Sequence, residues 1–143
     1  MINNKVLRRI GKIIALVGLT LGSLISLVYL FTNIRIIFSG DFMVYASSVG
    51  GFFRSFFNIM MYLFIIGMTV FAYFYLVTKK VQHLKTFYWI CNIGLLLVVT
   101  THLAFNKLSF SSGLEGYLIV AYHIVLVVGV VGQIMVFLTE PKE

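Results

Sequence analysis

Few side chains in this chain could do chemistry, and most of them lie inside long apolar runs. His102 falls five residues before Lys107, and His123 falls eight residues after Glu115. At ~1.5 Å of rise per helical residue they sit about 7.5 Å and 12 Å below one membrane surface. An ionisable residue inside a membrane span is a functional candidate by default. Asn58, four residues past Arg54, reaches the same layer, so three segments can bring polar groups together there. A neutral imidazole can simply donate to a carbonyl or another side chain and join helices. The sharper reading is bis-histidine ligation of a haem b, for which two His from different helices at similar depth are the geometric minimum.

Other chemistries lack their parts. Cys91 is the single cysteine, so the chain has no CxxC redox pair, intrachain disulfide or cysteine metal cluster. The acids are Asp41, Glu115, Glu140 and Glu143, all outside the apolar runs. That removes a Ser–His–acid nucleophile set and the intramembrane carboxylate that a small proton-coupled antiporter needs. Gly50 and Gly51 lack the Lys-Ser/Thr that follows in a phosphate loop. No enzymatic activity, catalytic residue or metal site is expected.

Two further patterns concern helix association. Gly11, Ala15, Gly18, Gly22 and Ser26 recur at three- and four-residue steps, a small-residue stripe of the kind that lets membrane helices approach closely. Packing within the chain is the first expectation, and oligomerisation the second. Asn92 lies seven residues after Lys85 and Gln133 seven before Glu140, both ~10 Å inside the same edge. They are expected to face each other and hydrogen-bond across neighbouring helices.

The elements that must position these residues follow from the charge map. Of the 143 residues, 61% are hydrophobic and 10% charged, against about a quarter charged in a soluble domain. Four runs contain no Asp, Glu, Lys or Arg: 13–34, 55–78, 86–106 and 116–139. Their 22, 24, 21 and 24 residues each cover the roughly 30 Å hydrocarbon core as a helix. Barrel strands are half as long and alternate in polarity. The single proline, Pro141, lies beyond the last run, so nothing breaks the helical ladders. The N-terminal run is too long for a signal core and is read as a retained span.

Eight basic residues (Lys5, Arg8, Arg9, Lys12, Lys79, Lys80, Lys85, Lys142) fall on the side shared by both termini and the second connection, against Arg35, Arg54 and Lys107 on the other. The basic excess marks the cytoplasmic face. The formal net charge of +7 is thus topology signal and headgroup attraction, and gives no reason to expect a nucleic-acid partner. His83, in the Lys-rich turn, is expected to be solvated. Phe52, Phe53, Phe56, Phe57, Tyr73, Phe74, Tyr75, Phe87, Tyr88 and Trp89 cluster at run ends, as interfacial anchors would. In the connection 35–54, Asp41 can cap a short outer interfacial helix over 42–49, ended by Gly50-Gly51.

The expected fold is therefore all-α: an integral membrane four-helix bundle, up-down-up-down, with both termini cytoplasmic, multi-pass in the cell membrane and forming one domain. The leading functional expectation is a non-enzymatic accessory protein that binds another membrane protein, or itself, within the lipid bilayer. The alternatives are an oligomeric small transporter or channel subunit, with Asn58, Tyr62, Thr69 and Tyr73 as a polar stripe, and a haem-binding redox or membrane-anchor subunit using His102 and His123.

Overall fold

A computed structural model of the chain describes residues 4–38, 49–105 and 114–139. Every element among them is helical: α1 Asn4–Phe38, α2 Val49–Tyr73, α3 Lys85–Phe105 and α4 Leu114–Leu138. α2 runs on through a π-helical turn, Phe74–Thr78, and a 3-10 turn, Gln82–Leu84, leads into α3. Four segments, Asn4–Arg35, Ser55–Thr78, Gln82–His102 and Tyr117–Leu138, are long and apolar enough to cross a membrane. Uncharged runs this long become helices in lipid because each backbone N–H and C=O must find its partner within its own segment.

Two boundaries differ from those expected. α1 starts at Asn4, so Lys5, Arg8, Arg9 and Lys12 stand on helical turns rather than in a tail. At 35 residues and ~1.5 Å per residue, α1 exceeds the thickness of the hydrocarbon core. Gly50 and Gly51 lie in the first turn of α2. Residues 42–48 of that expected helix are outside the described residues.

The end of α2 is built from exceptions to the regular ladder. Lys79 adopts a left-handed conformation, φ 56°, the position usually given to glycine at a helix C-terminus. Two carbonyls near this end are taken by side chains from outside the helix: Lys12 Nζ donates to Leu76 O at 3.0 Å, and Gln82 Nε2 to Tyr75 O at 3.4 Å. Carbonyls in the last helical turns have no partner within the helix, and here α1 and the connecting turn supply them.

α1 and α4 pack most closely. A Cβ added at Gly18 would fall on the backbone of Gly129, and one added at Gly132 on the backbone of Ala15. Gly11 lies against Met135, Gly22 against Leu126, and Ser26 against Tyr122. The stripe Gly11, Ala15, Gly18, Gly22 and Ser26 is therefore spent on α4, so residue numbers rise along α1 as they fall along α4. α1 also meets α2, where the Ser23 and Thr69 hydroxyls bond each other and Thr69 Oγ1 donates to Leu19 O at 3.0 Å.

α3 is held least. Only 17% of its most apolar window is buried, against 44% in α4. The core filled by all four helices includes Leu19, Ile65, Leu95, Val99, Leu126 and Val136. It also includes Tyr75 and Tyr88, 2% and 0% exposed, which corrects their reading as interfacial anchors. Their rings stack with centroids 4.1 Å apart, whereas Tyr73 and Phe87 do point outward.

Candidate functional site

Polar groups gather at two levels. At the level far from Lys12, His102 comes from the last turn of α3 and His123 from the third turn of α4. Both are buried. His102 Nδ1 and His123 Nε2 are 2.8 Å apart, and the rings lie nearly parallel with centroids 5.0 Å apart. His123 Nδ1 lies 2.7 Å from Ile119 O, one turn earlier on its own helix.

These contacts determine the tautomers when both rings are neutral. A carbonyl only accepts, so the His123 proton sits on Nδ1 and its Nε2 is an acceptor. His102 then carries its proton on Nδ1 and donates to His123. Beside the pair lies a cavity of about 90 Å³ lined by Tyr29, Asn58, Tyr62, His102, Ile119 and Tyr122. Asn58 thus reaches the layer of the histidines, as its depth implied.

The three tyrosines around this cavity form an aromatic cluster that the charge map did not reveal. Tyr29 stacks on Tyr62 at 5.7 Å, and Tyr122 meets the edge of His123 at 5.4 Å. The Tyr122 hydroxyl pairs with Ser26 Oγ at 2.7 Å, which joins the cluster to the small-residue stripe. A signal was present in the sequence: Tyr29, Tyr62 and Tyr122 sit well inside uncharged runs, where a hydroxyl needs a protein partner.

The two histidines bond each other directly in this arrangement. An ion held between two imidazoles at ~2 Å from each separates the nitrogens by about 4 Å, whereas here the facing nitrogens are at hydrogen-bond distance. The neighbouring cavity has room for about three waters. No group of three or more His, Cys, Asp or Glu able to hold a metal occurs among the described residues.

The second level is nearer Lys12, between α3 and α4. Asn92 and Gln133 line the same cleft, as their depth predicted, but Tyr88 takes the bonds expected between them. The Tyr88 hydroxyl donates to Gln133 Oε1 at 2.7 Å, and Asn92 Nδ2 donates to Tyr88 O at 2.9 Å. Asn92 Oδ1 and Gln133 Nε2 are buried with no partner. The reason is reach: a tyrosine one helical turn before Asn92 extends across the seam to the Gln133 amide. The stripe expected on α2 divides in the same way. Tyr62 and Thr69 point inward to partners, whereas Tyr73 is half exposed.

No family model, curated protein or solved structure matches this chain.

Proposed function

We propose that the chain is a non-enzymatic accessory protein of the cell membrane, an up-down-up-down bundle with cytoplasmic termini that binds another membrane protein. The basic residues gathered at Lys5–Lys12 and Lys79–Lys85 support that orientation. The opposed running of α1 and α4 supports the topology. The observation that carries the functional reading is the shallow burial of α3, whose Phe87, Ile90, Ile93 and Leu97 are more than half exposed. The small residues that bring helices together are concentrated on α1 and α4, already in contact. That leaves α3 as the span with the most surface to offer a partner helix.

Photo-crosslinking in native membranes tests this reading. A photoreactive amino acid at Ile93 or Leu97 is expected to give one protein adduct of defined mass, and the same probe at Val17 or Val28 on α1 to give none. Adducts to lipid alone at all four positions would reject it.

A second reading rests on the His102–His123 pair and its cavity. A hydrogen-bonded imidazole pair inside a membrane can pass a proton between its nitrogens, as a small transporter or channel subunit would require. Reconstituted vesicles in which His102→Leu leaves proton flux unchanged would dismiss it.

A further inference from the structure

The cleft between α3 and α4 has a volume of about 260 Å³ and is lined by Trp89, Asn92, Ile93, Leu96, Val130, Gln133, Ile134 and Phe137. That is just below the ~300 Å³ at which drug-sized ligand pockets begin. Its wall is apolar apart from the two amides and the indole. Asn92 is 8% exposed and Gln133 1%, yet Asn92 Oδ1, Gln133 Nε2 and Trp89 Nε1 have no hydrogen-bond partner. The bond from Asn92 Nδ2 to the Tyr88 carbonyl fixes which way the Asn92 amide points. The residues lining the cleft therefore hold one acceptor and two donors without a partner, covered in the empty cleft, at a depth where lipid supplies neither.

We propose that this cleft is a binding site for a neutral, hydroxyl-bearing amphiphile from the bilayer. A hydroxyl is the smallest group that donates and accepts together. Placed between the amides, it donates to Asn92 Oδ1 and accepts from Gln133 Nε2, removing two buried unsatisfied atoms at once. No charged side chain lines the cleft, so an ionised headgroup would be desolvated without compensation. Trp89 and Phe137, packed edge to face at 4.8 Å, close the end near Lys85. Ile93, Leu96 and Val130 line the course of an aliphatic tail towards the membrane centre. This site lies on the opposite level from the histidines; it shares Ile93 with the α3 face proposed above for a partner but rests on the two amides and Trp89, which that reading does not use.

The chain's single tryptophan lines the cleft and reports on it directly, because bromine quenches indole fluorescence on contact. The 143-residue chain in phosphatidylcholine vesicles is titrated with 2-bromohexadecan-1-ol, whose bromine is on the carbon next to the carbinol carbon, and separately with terminally brominated hexadecane. The expected result is saturable quenching of Trp89 by the alcohol, at roughly threefold to tenfold lower concentration than by the alkane. That factor corresponds to one or two interhelical-strength hydrogen bonds. Asn92→Leu and Gln133→Leu are each expected to reduce the alcohol to the alkane's behaviour. Asn92 hydrogen-bonds within its own helix, so Asn92→Leu keeps the bundle intact, which size exclusion checks, and remains decisive where Gln133→Leu loosens it. Equal quenching by alcohol and alkane would overturn the proposal, since the amides would then be satisfied by water or by each other. So would unchanged alcohol preference in Asn92→Leu, or absence of quenching by both compounds.

Discussion

The two seams of α4 are opposites. Towards α1 it presents Gly129 and Gly132, and the backbones approach until a Cβ would be tight at the first and would fall on Ala15 at the second. Towards α3 it presents Gln133 beside Val130 and Ile134, and the helices part enough to leave a cleft of about 260 Å³. In lipid, apolar side chains lose nothing by facing a neighbour other than protein, so close backbone contact and hydrogen bonds must hold a pair of helices together. The first seam has the close backbone contact along its length, with the Ser26–Tyr122 hydrogen bond at one end. The second has one interhelical bond at this level, Tyr88 to Gln133, and two amide atoms left over. The difference separates a joint that holds the bundle from a surface available to something else.

The largest effect should come from breaking the tight seam. Gly132→Leu forces a side chain into the Ala15 backbone and is expected to cost about 3 kcal/mol. The measurement is resistance to unfolding by SDS titrated into mild detergent. A loss below ~1 kcal/mol would mean that the two helices do not meet as closely as described.

At the loose seam, Gln133→Leu strands the Tyr88 hydroxyl inside the core. The expected loss is about 1–2 kcal/mol, and Tyr88→Phe in the same background should restore part of it, because the stranded hydroxyl is then gone. Failure of that rescue would show that Gln133 acts through packing rather than through the bond.

Glycines that touch nothing sharpen the contrast in the other direction. A Cβ at Gly67 meets no atom within 4 Å, so Gly67→Ala should stabilise α2 by about 0.5–1 kcal/mol. The same substitution at Gly18 should destabilise. Equal signs at the two sites, in the same SDS titration, would erase the distinction between packing glycines and incidental ones.

The smallest effect is expected at Asn92. Its Oδ1 has no partner and its Nδ2 serves its own helix, so Asn92→Leu should change stability by less than about 0.6 kcal/mol. A loss above 1.5 kcal/mol would instead point to a direct Asn92–Gln133 bond across the seam in the membrane.

Much of the fold was legible because it depends on one-dimensional properties. Uncharged length marked four candidate spans, and the three- and four-residue steps from Gly11 to Ser26 marked the face of α1 that meets α4. Depth counting placed His102, His123 and Asn58 in one layer, and Asn92 and Gln133 in another. It could not say which atoms would bond. Each helical residue turns the side chain by about 100°, so two residues at equal depth can face each other or face apart. Tyr75 and Tyr88 show the same limit: near the ends of uncharged runs they resemble interfacial anchors, yet both are buried and stacked on each other.

By itself the sequence determined that this chain makes helices long and apolar enough for a bilayer, because a backbone in lipid must satisfy itself within each segment and needs no neighbour to do so. Only the tertiary structure decided which polar atoms are paired and which are left over. Tyr88 reaches Gln133 before Asn92 does, and His102 bonds His123 across the α3–α4 seam. These outcomes depend on helix rotation and side-chain reach, which no count along the chain contains.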